Sequence, residues 1–148
     1  MSGETSEEER VNSLAVEMRV LEGTFNELSA RQNFLERALL EGRSALEAIR
    51  GLSESKPDEV MIPIGGGAMV KSPPPDVSRV LVNVGANVVI EKSSEEAAAF
   101  LEGRVKEIES SAVAVLSQRN QIAERLESDR QALQAMLSRQ NQKSKIVR

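Results

Sequence analysis

Apolar residues return at alternating steps of three and four along two long segments of this chain, and no other feature restricts its fold so tightly. The first seam runs Val11, Leu14, Met18, Leu21, Phe25, Leu28, Gln32, Leu35, Leu39, Gly42, Leu46 and Ile49, with only Gln32 and Gly42 not apolar. The second runs Leu101, Val105, Ile108, Ala112, Val115, Arg119, Ile122, Leu126, Asp129, Leu133, Met136 and Gln140, interrupted by Arg119, Asp129 and Gln140. A 3.5-residue period sustained this long marks coiled-coil helices. At ~1.5 Å per residue, each run spans roughly 60 Å. One segment tethers both runs at the same end, so the simplest pairing is an antiparallel coiled coil within one chain. Both termini would then meet at the other end. Ser6 with Glu9, and Ser93 with Glu96, read as capping boxes opening the two helices. Gly51 and then Lys56-Pro57 read as stop signals for the first. Gln32 and Arg119 read as polar residues that fix register. Gly42 weakens its helix by ~1 kcal/mol relative to Ala and suits a bend or a close helix contact.

The tether, Glu59 to Glu96, is apolar, rich in Gly and Pro, and uncharged from Val60 to Val70. Val60–Ile64 and Ala68–Lys71 read as strands around the turn glycines Gly65-Gly66-Gly67. Arg79–Val84 and Asn87–Glu91 read as a second hairpin around Gly85-Ala86, and Pro73-Pro74-Pro75-Asp76 is a rigid connector that cannot be helix or central strand. The glycine run is not a phosphate cradle: neither a Walker loop nor a dinucleotide fingerprint is present, since Val70 stands where the fingerprint needs its third glycine, and no long helix follows the glycines. Alternation puts Val80, Val82 and Val84 on one face, with Ile62 and Ile64 together and Val88 and Ile90 together. Isolated hairpins of this length cannot bury such faces alone. Another chain is expected to cover them, with Ile62, Ile64, Val70, Val80, Val82, Val84, Val88 and Ile90 at the joint. The domains expected are a first coiled-coil helix over 1–55, an oligomerisation platform of two hairpins over 56–93 and a second coiled-coil helix over 94–148: an α+β chain.

Composition narrows the function. The 148 residues carry a net charge of −4, only 2% aromatics, no Cys and no His. Zinc sites of His and Cys, a His general base and thiol chemistry are absent. No cofactor or metal site is expected, and an enzyme is a poor reading. No segment is strongly basic, so no nucleic-acid footprint is visible. No apolar run is long enough to span a membrane, and the acidic start is not a signal peptide. The lack of Cys fits a reducing cytoplasmic setting.

Helix, two hairpins, helix, with "MIPIGGGAMV" (Met61 to Val70), "VLVNVGANVVIEKS" (Val80 to Ser93) and "EEAAAFLEGRVKEIE" (Glu95 to Glu109), resembles the prefoldin alpha-subunit family, its archaeal members most. Motif-level similarity covers about a third of the chain; the arms match as heptads. Two hairpins point to an alpha-type subunit, since beta-type subunits carry one. Val88 and Val89 stand where the family often has an aromatic, and Pro73–Pro75 is an unusual connector. The resemblance implies a hexamer of two alpha-type and four beta-type subunits whose strands build a β-barrel platform bearing coiled-coil arms. It also implies ATP-independent capture of unfolded polypeptides and delivery to a group II chaperonin. The residues expected to touch clients lie where the termini meet: Val11, Leu14, Val16, Met18, Val20, Leu133, Met136 and Leu137. Val16 and Val20 fall outside the seam, one helical turn apart, and Met18 and Met136 repack readily. The competing reading is a structural coiled-coil spacer or filament protein that merely oligomerises through its hairpins.

Overall fold

A computed structural model describes the backbone of residues 2–147 and the side chains of residues 6–147. The elements run α1 (Ser2–Glu54), β1 (Val60–Gly65), β2 (Ala68–Ser72), β3 (Arg79–Gly85), β4 (Val88–Ser93) and α2 (Ser94–Ile146). The chain divides into two compact units. One is a coil unit, Met1–Leu35 with Ser111–Arg148, and the other is a hairpin unit, Glu36–Ser110.

In the coil unit the two helices run antiparallel. Glu7 pairs with Lys143 at 3.2 Å, Glu17 with Arg125 at 2.7 Å, and the Phe25 ring with the Arg119 guanidinium at 5.7 Å. Every seam position of both helices here is buried or half-buried, polar ones included. Knob-into-hole packing explains this: the a and d positions face the partner helix whatever side chain they carry.

Within the hairpin unit the seam residues Leu46, Ile49 and Val105 are buried. A Cβ placed on Gly42 would lie 2.9 Å from Val105 Cγ2, so the glycine lets α2 approach. Close contact, of the two roles expected for Gly42, is the one observed. Arg43 with Glu109 (2.6 Å) and Arg50 with Glu102 flank the seam. These pairs are about half exposed and add little stability.

The start of α1 and one of its two expected stop signals differ from the sequence reading. α1 begins at Ser2, so Ser6 and Glu9 lie inside the helix and do not open it. Gly51 does not stop it either. The helix runs to Glu54, and Ser55 N donates to Gly51 O at 3.1 Å. One glycine costs ~1 kcal/mol, which the half-buried Leu52 offsets in the next turn. The chain then leaves through Lys56 at φ +42° and Pro57. The second capping box forms as expected. Glu96 N donates to Ser93 Oγ at 3.2 Å, and Ser93 N donates to Glu96 Oε2 at 3.4 Å. Ser93 is both the last residue of β4 and the cap of α2, with no linker between them.

Among the described residues both hairpins are antiparallel two-stranded ribbons that pair only with themselves. Each closes with two residues at positive φ, Gly66-Gly67 (59°, 79°) and Ala86-Asn87 (50°, 59°). That is the mirror-image turn whose twist matches a right-handed ribbon. Each also has a register shift just before its turn, at Pro63/Gly65 and Asn83/Gly85. Between the hairpins, Asp76 Oδ1 accepts from Ser78 N at 2.9 Å and turns the chain after the prolines. That hydrogen bond from the backbone holds the Asp76 carboxyl below its ordinary value.

Candidate assembly and client surfaces

The sequence reading assigned the cover of Val80, Val82 and Val84 to another chain. For Val82 the structure corrects this, while Val80 and Val84 are half-buried. Val82 is buried together with Ile49 and Ala97, and Val80, Val84, Ala98, Phe100 and Leu101 pack against that core. The physical reason is the direct join at Ser93. α2 starts where β4 ends, so its first turns fold beneath the hairpin's inner face. Ala97, fully buried, is small enough to let the strand approach. Phe100 lies under two cations, Lys92 at 5.8 Å and Arg104 at 5.9 Å. Arg104 also donates to the Asn83 carbonyl at 3.3 Å. Hairpin β3–β4 is thus bolted to its own helix. Val88 and Ile90 share the inner face by register but lie beyond this cover and stay exposed. The outer face carries Leu81, 71% exposed, and Val89.

Hairpin β1–β2 has no such support. Ile62 faces Val70 directly, with Ile64 on the same side, and all three are exposed. The opposite face pairs Pro63 with Met69 and Met61 with Lys71, and both methionines are 62% exposed. A lone two-stranded ribbon is marginal in water, and one with two apolar faces and unpaired edges is a template for further strands. Met61, Met69, Leu81 and Val89 were missed as joint residues. The signal that could have found them was the second apolar set of each alternating run, on the faces opposite Ile62 and Val82.

The eight residues expected to touch clients fall into two groups. Val16 (60% exposed), Val20 (63%) and Leu137 stand open on the helix surfaces. Val11, Leu14, Met18, Leu133 and Met136 are half-buried in the seam. Charged pairs surround them, Glu7–Lys143 and Glu17–Arg125. The Glu17 hydrogen bond, and then the charges of Glu17 and Asp129, hold the Arg125 guanidinium above its usual range. Among the described residues no cluster of His, Cys, Asp or Glu could hold a metal ion, and no helix is long and apolar enough to cross a membrane.

Long paired helices whose ends turn into small, apolar, self-paired hairpins define a coiled-coil subunit with sheet-forming hairpins. A family model described as prefoldin subunit matches residues 21–143. The prefoldin subunit alpha of Nitrosopumilus maritimus is 33% identical over 133 residues, 87% of this chain and 92% of that protein. The prefoldin subunit alpha of Methanoculleus marisnigri is 37% identical over 110 residues, 69% and 74% of the two chains. The fold also resembles the crystal structure of the prefoldin beta subunit from Thermococcus strain KS-1, with TM-score 0.62, 17% identity, and 85% and 90% of the two chains covered. A cryo-EM structure of filamentous PFD from Methanocaldococcus jannaschii matches with TM-score 0.58, 22% identity, and 74% and 92% coverage. The chain belongs to the prefoldin family of chaperones, and the two relatives named here by sequence identity are alpha subunits.

Proposed function

We propose that this chain is the alpha-type subunit of a hetero-oligomer with beta-type partners, two alpha with four beta, that captures unfolded polypeptides without nucleotide and passes them to a group II chaperonin. The observation that carries the reading is hairpin β1–β2, apolar on both faces and exposed on both. Such a ribbon is stable only inside a larger sheet. Residues 56–93 act as the platform. Ile62, Ile64, Val70, Val88 and Ile90 serve the joint, joined by Met61, Met69, Leu81 and Val89. Val82 serves the chain's own core instead, and the half-buried Val80 and Val84 pack on that core and leave their open sides to the joint. Clients meet the end where Glu7 and Lys143 pair, on Val16, Val20 and Leu137 first and on the seam residues Val11, Leu14, Met18, Leu133 and Met136 as they become accessible. A patch of a few hundred Å² contributes only several kcal/mol at ~25 cal/mol per Å², before ordering costs. Several arms acting on one client raise the effective concentration and make capture useful. The test is light scattering of a denatured client with the coexpressed alpha–beta complex, no nucleotide present, followed by addition of a chaperonin. Suppression at near-stoichiometric amounts, and folding only after the chaperonin is added, supports the reading. A complex that forms but suppresses nothing is a spacer.

A further inference from the structure

Hairpin β1–β2 sorts its apolar side chains by chemistry. One face pairs Ile62 with Val70, β-branched hydrocarbons of the kind a strand prefers and inert to mild oxidants. The other face carries Met61 and Met69. The register sets Met61 opposite Lys71 and Pro63 opposite Met69. The two methionines are therefore diagonal neighbours on one face, roughly 7–8 Å apart and within reach of each other's long side chains. Both stand open to solvent.

The thioethers of the chain are not equivalent. Met18 and Met136 are half-buried in the seam of the coil unit, where the opposite helix screens them. The chain has no Cys, so no thiol competes for an oxidant. An oxidant in solution therefore meets Met61 and Met69 first. What it makes there matters because of where they sit. A thioether packs as an apolar group, whereas a sulfoxide carries a strong hydrogen-bond acceptor and disrupts methionine-rich interfaces. The cation on this face, Lys71, already pairs with Glu59 at 3.4 Å. A sulfoxide oxygen covered by a neighbouring strand without a donor opposes that cover.

We propose that Met61 and Met69 form a reversible oxidation site that decides whether the free subunit can enter its complex. The oxidant is a peroxide. Each sulfur gives an electron pair to one peroxide oxygen, the O–O bond breaks and an S–O bond forms. The second oxygen takes up the proton and leaves as water, so the sulfur is oxidised and the peroxide reduced. Two sulfoxides on the methionine face then keep neighbouring strands away. In the assembled complex the same neighbours cover both sulfurs, so the complex resists an oxidant that the free subunit does not. A dithiol, acting through a methionine sulfoxide reductase, returns the thioether and yields water and a disulfide. This inference rests on the reading above that places Met61 and Met69 at the joint.

The experiment treats the separately purified full-length chain with hydrogen peroxide, removes the peroxide, and adds the beta-type chain of the same organism. Sedimentation reads assembly, and peptide mass mapping reads which methionines are oxidised. Assembly is lost in step with sulfoxide at Met61 and Met69, and not in step with sulfoxide at Met18 and Met136. At about tenfold for each unsatisfied acceptor, the affinity of the doubly oxidised chain falls by roughly a hundredfold. Methionine sulfoxide reductase with dithiothreitol restores it. Met61→Leu with Met69→Leu assembles before and after peroxide, whereas Met61→Gln with Met69→Gln, polar without any oxidant, fails to assemble untreated. Peroxide added to the preformed complex leaves both sulfurs reduced. The proposal is overturned if the oxidised chain assembles as well as the untreated one, or if the leucine pair loses assembly after peroxide as the wild type does. It is also overturned if the complex is oxidised at Met61 and Met69 as fast as the free chain. If the untreated chain forms no complex, the joint reading falls and takes the switch with it; if the complex forms and oxidation changes nothing, only the switch falls.

Discussion

The two hairpins are built alike and supported differently. Each has a positive-φ turn, a register shift beside it and apolar residues on both faces. Yet β3–β4 buries Val82 against Ile49 and Ala97, while β1–β2 leaves Met61, Ile62, Ile64, Met69 and Val70 in water. The difference lies in the joins. β4 runs into α2 at a single residue, Ser93, which brings a helix under the sheet. β1 is reached through residues 55–59 and left through the prolines, so no helix follows it closely in sequence. One hairpin belongs to the chain's own core, and the other can find a core only outside it.

The sharpest test substitutes the same charge on both hairpins. Val82→Asp puts a carboxylate into the Ile49/Ala97 core and should destabilise the isolated chain by several kcal/mol, roughly 3 or more. Thermal melting followed by circular dichroism reads this. Ile62→Asp should change the isolated chain by less than about 0.5 kcal/mol yet abolish the large complex in sedimentation. Equal effects of the two on the melting of the isolated chain would break the comparison.

A smaller effect comes from the helix side. Ala97→Leu overfills the contact beneath β3 and should cost about 1–3 kcal/mol. Amide exchange should rise in residues 79–93 and stay constant in residues 60–72. Uniform loosening of both hairpins would mean that they share support.

The turns should respond with opposite signs. Ala86 holds φ +50° with a side chain present, so Ala86→Gly should relieve strain and stabilise by about 0.5 kcal/mol after the entropy cost of glycine. Gly66→Ala in the other turn should cost roughly 1 kcal/mol. Because β1–β2 has no docking to lose, that cost should appear in assembly and not in the melting of the isolated chain.

The least effect belongs to the connector. The folded Asp76 carboxyl sits below its ordinary value of 3.8 because Ser78 N donates to it. A depressed carboxyl contributes order that is complete above pH 3.8 and is lost as pH falls through the lower folded value. NMR shifts of residues 73–78 should move in that acid range, and in Asp76→Asn the movement should vanish.

The seams were legible residue by residue because the coiled-coil period is a property of backbone geometry. Even Gln32, Arg119 and Asp129 were placed inside by counting alone. The hairpins were legible from glycines and β-branched alternation, to within a residue or two at their ends. The cover of Val82 was not. Alternation says which residues share a face but not what lies beneath it, and that depended on the direction in which α2 leaves Ser93. The start of α1 was misplaced because Ser6 and Glu9 offer a capping pattern that the helix passes through. The division of the client residues into open and half-buried ones was half legible: Val16 and Val20 were placed outside the seam, but nothing in the spacing of the core residues shows that Asp129 Oδ2 is buried without a hydrogen-bond partner.

The join at Ser93 has a mechanical consequence. A strand that becomes a helix at one shared, doubly hydrogen-bonded residue is a weld. Torque on β3–β4 passes directly into the first turns of α2, and the Phe100 clamp stiffens that joint. β1–β2 hangs instead between residues 55–59 and the proline connector 73–78, so no helix is joined directly to either of its strands. Whatever grips the welded hairpin takes hold of the first turns of α2, and whatever grips the other one only holds the chain in place.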